Sequence, residues 1–320
     1  MPRAVITESY PVVFREDVKT GSPENFPNSY LLAYDFDETC FTTFISSGKG
    51  PEVHEAYEIA VQSVLGGTAL RDFSGYGGLS NRAPLDVIQG LITTDPKLVS
   101  NALDHASEHF PEHQSGHDIG LELIRRFVDR RLITPDELTL RAITELLVIR
   151  KKEVLLPQIN EEWPKPVSGF VEHWHELEEA RRQREGWQGV HTAVVSSGHS
   201  DFISRTFEVA GLEPPDVLMT DDEMRKQIQP RTKPDPYALM LVEYAWLEAY
   251  GILLDKRSST EFKAAVKPKQ TNIGDDPAKD GEMAKRAGIS FIHHDGQPDT
   301  WHSIGAMITS VIDQGESFAD

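Results

Sequence analysis

The chain has a single cysteine, Cys40, in 320 residues. One thiol excludes an intrachain disulfide and fits a reducing compartment, so the expected location is cytoplasmic. No apolar run approaches the roughly 20 residues that a membrane-spanning helix needs. The first 18 residues carry Glu8, Glu16 and Asp17 and hold no apolar stretch of the kind a secretory leader requires. Positive charge is scarce as well: 32 Lys and Arg face 51 Asp and Glu, a net charge of −19. Such a surface lacks the field that nucleic acid or an anionic membrane needs, and neither is expected as a partner. An anionic small molecule stays open, because a local cation can invert the sign inside a cleft. No internal repeat and no low-complexity stretch interrupts the chain. What is there, 39% hydrophobic and 26% charged residues, is the composition of a soluble globular protein with length for one large domain or two ordinary ones. Nothing in the sequence sets the oligomeric state.

The most informative stretch is 31–39, Leu-Leu-Ala-Tyr-Asp-Phe-Asp-Glu-Thr. It begins as a short apolar run, the pattern of a strand buried on both faces. It ends in Asp35 and Asp37, with the hydroxyl of Thr39 beyond. Alternate strand residues share a face, so the two carboxylates can point the same way. Like charges so placed need neutralising, and a hard divalent cation such as Mg²⁺ does this with oxygen ligands. The alternative is a polar strand end with a solvated acidic turn.

Three later stretches bear on that choice. Residues 191–198, His-Thr-Ala-Val-Val-Ser-Ser-Gly, are a second apolar run that ends in hydroxyls. Residues 231–236, Arg-Thr-Lys-Pro-Asp-Pro, place Lys233 ahead of a helical pattern. Residues 271–280, Thr-Asn-Ile-Gly-Asp-Asp-Pro-Ala-Lys-Asp, run from a short strand candidate into acids. Aspartates, a serine, a lysine and more aspartates, in that order and mostly at strand ends, resemble the haloacid dehalogenase (HAD) superfamily of phosphatases and phosphotransferases. The resemblance covers about 30–50 and 166–295, through Asp-x-Asp-x-Thr at 35–39, Ser196, Lys233 and Gly-Asp-x-x-x-x-Asp at 274–280.

The rest of the chain fits that frame. Residues 170–184, 200–210, 236–250, 278–287 and 300–312 read as helices. Between them, 191–195, 216–219, 270–273 and 290–293 read as strands. Alternation of this kind implies an α/β fold with a parallel sheet covered by helices on both faces. Ligands then bind at the carboxyl ends of the strands, where Asp35, Asp37, Ser196 and Asp275 fall. The resemblance implies the same Rossmann-like core, 29–50 with 166–320. Residues 51–165 read as helical throughout, with candidates at 52–65, 83–91, 96–106, 119–127 and 135–149. This stretch sits where the superfamily places a C1-type helical cap, after the first strand. Residues 1–28 are an extension of unassigned placement, with 10–14 a possible edge strand.

The resemblance also assigns roles. Asp35 is the expected nucleophile, forming an aspartyl-phosphate, and Asp37 the general acid–base. Relatives that cleave carbon–halogen bonds lack the second carboxylate, so Asp37 favours phosphoryl transfer. Ser196 is expected to hold a phosphate oxygen, helped by Ser197 and the Gly198 amide at a strand-to-helix turn, although Ser197 reads equally as a helix cap. Thr39 is expected with the phosphate-binding residues, where it steadies the loop or contacts Asp37, or is a plain turn hydroxyl. Lys233 neutralises charge between nucleophile and phosphate, with Lys226 and Arg231 as nearby substitutes. The Mg²⁺ set would be Asp35, Asp37 through its backbone carbonyl, Asp275, Asp276 and Asp280. Asp276 reads alternatively as an acid at a helix N-terminus. The activity implied is a Mg²⁺-dependent phosphatase acting on a small phosphorylated metabolite. A phosphomutase, or a non-catalytic regulatory or binding protein of the same fold, are its rivals. His105, His109, His113 and His117 recur every four residues, but Pro111 breaks any metal ladder on one helix. The Gly-rich loop 73–82, with Lys49, Arg71 and Arg82 nearby, reads as an inter-helix loop that could touch substrate.

Overall fold

A computed structural model describes residues 15, 18, 23–43, 53–65, 135–225, 231–252, 264–297 and 299–318. Its centre is the strand β1 (Tyr30–Tyr34), in which every side chain is buried. β1 pairs in parallel with β4 (Val190–Val195) on one side and β6 (Gln270–Gly274) on the other. β5 (Val217–Met219) continues the sheet beyond β4, and β7 (Ser290–His293) beyond β6. The order is β5-β4-β1-β6-β7, all parallel. The chain thus builds outward from β1 to one edge and then crosses back to build the other. That reversal of direction opens a crevice at the carboxyl ends of the central strands.

Alternation along β1 divides the core in two. Tyr30, Leu32 and Tyr34 pack with Phe170, Trp174, Phe207, Trp301, Ile304 and Ile308. These come from α3 (Phe170–Gln183), α4 (Ser200–Val209) and α8 (Thr300–Gln314). Leu31 and Ala33 pack on the opposite face with Leu239, Val242 and Trp246 of α6 (Tyr237–Ala249) and Met283 of α7 (Glu282–Ala287). A sheet buried on both faces favours apolar strands, which β1 supplies and β4 largely supplies, whereas β6 buries Gln270, Thr271 and Asn272. This is the Rossmann-like α/β core, with its sheet flanked by helices.

Of the stretch 51–165, two helices are described. α1 (Val53–Leu65) packs against α2 (Pro135–Leu155). α2 runs past residue 149, where the helical pattern was expected to stop, because Leu155 continues its buried side. Two short strands escape sequence reading: β2 (Phe41–Thr42) pairs antiparallel with β3 (Lys165–Pro166). The one-turn helix α5 (Asp221–Arg225) was also unexpected. The helix expected over 278–287 is divided into a π-helical turn, Pro277–Gly281, and α7. Asp276 sets the start of the turn: its Oδ1 accepts from the amides of Ala278 and Lys279, at 2.9 and 3.1 Å, and caps it.

The N-terminal extension touches the core where it is described. The Arg15 amide donates to the Asp216 carbonyl at 2.9 Å, and Phe26 packs on Trp246 with ring centroids 4.7 Å apart. The expected strand 10–14, the helices at 83–91, 96–106 and 119–127, the four-residue histidine series, loop 73–82, and Lys49, Arg71, Arg82 and Lys226 lie outside the described residues. Among the described residues, no helix is long and apolar enough to cross a membrane.

Candidate active site

Three strands deliver the site. Asp35 follows β1, Ser196 follows β4 and Asp275 follows β6. The first two are held by one further sheet bond each: the Asp35 amide donates to the Ile273 carbonyl at 2.8 Å, and the Ser196 amide to Met219 at 3.0 Å. Beyond β1 the chain folds tightly, with the Cys40 and Phe41 amides both donating to the Phe36 carbonyl. Glu38 sits there at φ 58°, a conformation uncommon for a residue with a side chain. Its Oε1 accepts from the Thr43 amide at 2.9 Å, which fixes the loop. Cys40 is packed inside this loop, its thiol donating to the Asp35 carbonyl at 3.0 Å.

Lys233 enters from the segment before α6. Its Nζ lies 2.5 Å from Asp35 Oδ1 and 2.7 Å from Asp280 Oδ1. Two carboxylates around one buried ammonium hold the lysine's proton firmly and push its pKa up. Burial pushes the Asp35 carboxyl up to about 8, against the pull of Lys233, with repulsion from Asp280 and Asp37 adding to the rise. Asp280 is 2% exposed and presses against Gly274: a Cβ on that glycine would lie 2.7 Å from the carboxylate. Thr39 is fully buried and grips Asp275 twice. Its Oγ1 donates to Oδ1 at 3.1 Å and accepts from the Asp275 amide at 3.0 Å.

Asp37 accepts from Thr43 Oγ1 at 2.6 Å and from Ser196 Oγ at 3.3 Å. Burial raises its pKa, while the Thr43 bond and the charges of Lys233 and Lys151 oppose the rise. Ser196 Oγ in turn accepts from the Gly198 amide at 2.8 Å. Ser197 is exposed at the same turn. It does not cap α4; the Ser200 amide donates to Asp222 Oδ2 at 2.9 Å instead.

Of the acids expected at a metal, three converge. Asp35, Asp275 and Asp280 each place a carboxylate oxygen within 4.8 Å of the others. An all-oxygen donor set suits a hard divalent cation such as Mg²⁺, and like charges gathered so closely favour one. The Asp37 carboxylate is engaged by Thr43 and Ser196. Asp276 lies outside that cluster: it caps the turn and pairs with Lys279 Nζ at 3.3 Å, which matches its alternative reading as an acid at a helix N-terminus. Arg231, offered as a substitute for Lys233, pairs with Asp235 at 3.2 Å.

One site residue was missed. Lys151 on α2 is 7% exposed, and burial lowers its pKa to about 8, against the opposing charges of Asp37 and Asp222. In sequence it is the middle of Arg150-Lys151-Lys152, which reads as a solvated basic run. The signal was its register: Thr144, Leu147, Lys151 and Leu155 are all buried at helical spacing. Around it, α2 is clamped to the core by ion pairs. Lys152 reaches Asp222 and Asp201, each at 2.9 Å, and Arg225 Nε reaches Glu145 at 3.0 Å. Arg225 also pairs with Asp221, and with Asp222 at 2.7 Å.

No family model and no curated protein matches the chain. Solved structures do. The HAD-hydrolase YfnB from Bacillus subtilis bound to magnesium is 13% identical, with 84% of this chain and 92% of that one covered at a TM-score of 0.34. CbbY from Rhodobacter sphaeroides, in complex with xylulose-(1,5)-bisphosphate, is 16% identical over 84% and 88%, at 0.38. A haloacid dehalogenase-like hydrolase from Xanthomonas campestris is 12% identical over 95% and 97%, at 0.35. The solved structures that this chain resembles are thus HAD-superfamily hydrolases, and its own chemistry stands on the residues above.

Proposed function

We propose that the protein is a Mg²⁺-dependent phosphatase that hydrolyses a small phosphorylated metabolite through an aspartyl-phosphate on Asp35. The observation that carries this reading is Lys233, whose single ammonium bridges Asp35 and Asp280 beside the serine turn. An isolated acidic strand end would not bring a buried lysine, a second acid and a hydroxyl turn to one point.

In the first step an Asp35 oxygen bonds to phosphorus as the ester P–O bond breaks, and Asp37 gives its proton to the departing alcohol oxygen. The raised pKa of Asp37 suits it to that donation. In the second step Asp37 takes a proton from water, whose oxygen bonds to phosphorus as the Asp35–P bond breaks. Ser196 Oγ and the Gly198 amide, bonded to each other before substrate arrives, turn to the phosphoryl oxygens. Lys233 offsets charge as the phosphoryl group is transferred. Asp35, Asp275 and Asp280 would hold Mg²⁺, which when bound supplies Lewis-acid stabilisation of the phosphoryl charge. Residues 51–165, including α1 and α2, would form the cap over this site.

The test is phosphate release from a panel of phosphorylated metabolites and an aryl phosphate, with Mg²⁺ or with EDTA. Release that requires the metal and falls by about 10³-fold or more in Asp35→Asn is expected. Release that survives EDTA and that substitution would remove the proposal.

A further inference from the structure

The row of residues that crosses the sheet through Ala33 of β1 reads Val217, Ala193, Ala33, Asn272 and Phe291. Four are apolar, and Asn272 is an amide with no exposed surface. A strand covered on both faces favours an apolar residue at such a place, so the amide breaks the rule of its own row. Departures of this kind are expected where a site demands them. Asn272 stands three residues before Asp275, and the steps above give it no task.

What the amide holds is the turn that carries Asp280. Asn272 Nδ2 donates to the Asp280 carbonyl at 3.1 Å. Its Oδ1 is buried as well and meets no donor among the described residues. An unmet buried acceptor is destabilising, so the fold keeps one end of this amide on Asp280 at the expense of the other. The turn is tied at further points. The Asp280 amide donates to the Asp276 carbonyl at 2.7 Å, and a Cβ on Gly281 would lie 3.2 Å from the Phe291 ring. A π-helical turn is rare and is frequent at functional sites. Here it sends the Asp280 carboxylate over Gly274 to Lys233, 2.7 Å away.

We propose that Asn272 is a positioning residue for the reaction: its amide fixes the Asp280 backbone so that the carboxylate both orients Lys233 toward Asp35 and completes the cluster with Asp35 and Asp275. The inference rests on the phosphatase reading and on its Mg²⁺ cluster. Asn272 is buried beneath the turn and acts through Asp280. A leucine has nearly the same branched shape. It fills the space, removes the donor and also removes the unmet Oδ1. Function and stability should therefore separate in that variant.

The experiment compares Asn272→Leu with wild type, both as the full chain, by calorimetric Mg²⁺ affinity, by steady-state kinetics on the best ester of the panel, and by urea unfolding. Mg²⁺ affinity and kcat should each fall by about tenfold or more, as when hydrogen-bond partners of metal ligands are removed. KM should stay within about twofold, and the urea midpoint should stay at or above the wild-type value. A residue that serves stability alone does the reverse. A lowered midpoint with wild-type kcat and Mg²⁺ affinity overturns the proposal, and so does a loss confined to KM. If Asn272→Leu does not fold, Asn272→Val, a strand former without an amide, takes its place. The two readings fail differently. Asp35-dependent release that is unchanged in Asn272→Leu, at unchanged Mg²⁺ affinity, removes the role of Asn272 and leaves the phosphatase standing. Mg²⁺ binding that Asn272→Leu weakens, with no release by the wild type, sustains the role of Asn272 and removes the phosphatase. A wild type that neither binds Mg²⁺ nor releases phosphate removes both.

Discussion

Gly274 shows how little room the chemistry has. The Asp280 carboxylate occupies the space where a side chain at 274 would begin, 2.7 Å from the Cβ position. Gly274→Ala must therefore push Asp280 away from Lys233. The cost is about 1–3 kcal/mol, as for other overpacked sites, together with a loss of phosphate release. Urea denaturation and a release assay on the purified variant check both, and a wild-type midpoint and rate would show that Asp280 has another place to go. Asp276 makes the opposite case. Its carboxylate serves the Ala278 and Lys279 amides, so Asp276→Ala should cost about 1 kcal/mol of stability and leave calorimetric Mg²⁺ affinity alone. A matching loss of affinity would put Asp276 back among the metal ligands. The two acids are neighbours in one motif, and only the folded turn tells them apart. Asp35 and Ser196 stand at the ends of strand patterns and Lys233 ahead of a helical one, so sequence alone could single them out. Lys151 was not, because Arg150 and Lys152 flank it and mask a charge that its helix carries inward.

The elements were legible in proportion to the length of their pattern. β1 and most of β4 are apolar runs with no face to spare for water, β6 is a buried but largely polar strand, and α6 and α8 are long enough for periodicity to declare itself. β2 and β3 are two residues each, too short to show alternation, and their pairing joins Phe41 to Pro166 across more than a hundred residues. α5 is legible only through its partners. Arg225 is 7% exposed and holds Asp221, Asp222 and Glu145 together, which fastens α2 to the strand ends near the serine turn. Removing it leaves two buried carboxylates short of a cation, so Arg225→Met should cost about 3–5 kcal/mol. Glu145→Gln removes one partly exposed partner from the same guanidinium and should cost about 1 kcal/mol or less. Urea midpoints for the pair decide between a clamp and a bystander: equal small shifts would mean that α2 does not depend on Arg225.

At the scale of the whole molecule, buried titrating groups pull the pH dependence of stability in opposite directions. Burial raises Asp37, so the folded chain holds a proton there that the unfolded chain has lost, and this contribution fades as pH rises. Burial lowers His173 to about 4 and His199 to about 3, and these rings act in the opposite sense. His173 lies against Trp301, with ring centroids 4.8 Å apart, and its Nε2 is 3.1 Å from the Tyr34 hydroxyl. The folded chain keeps that ring neutral, whereas the unfolded chain protonates it near the ordinary value of about 6.5. Stability from His173 is therefore complete above about 6.5 and is lost as pH falls through the window down to about 4. Wild type alone cannot isolate this, since the site carboxylates titrate across the same range. The difference between wild type and His173→Gln can, because every other group cancels and glutamine still reaches Tyr34. That difference should grow in favour of wild type by about 3 kcal/mol between pH 4 and 6.5 and then stay level. Urea unfolding of both proteins at half-unit steps of pH measures it, and a difference independent of pH would mean that the His173 ring takes up its proton in the folded protein.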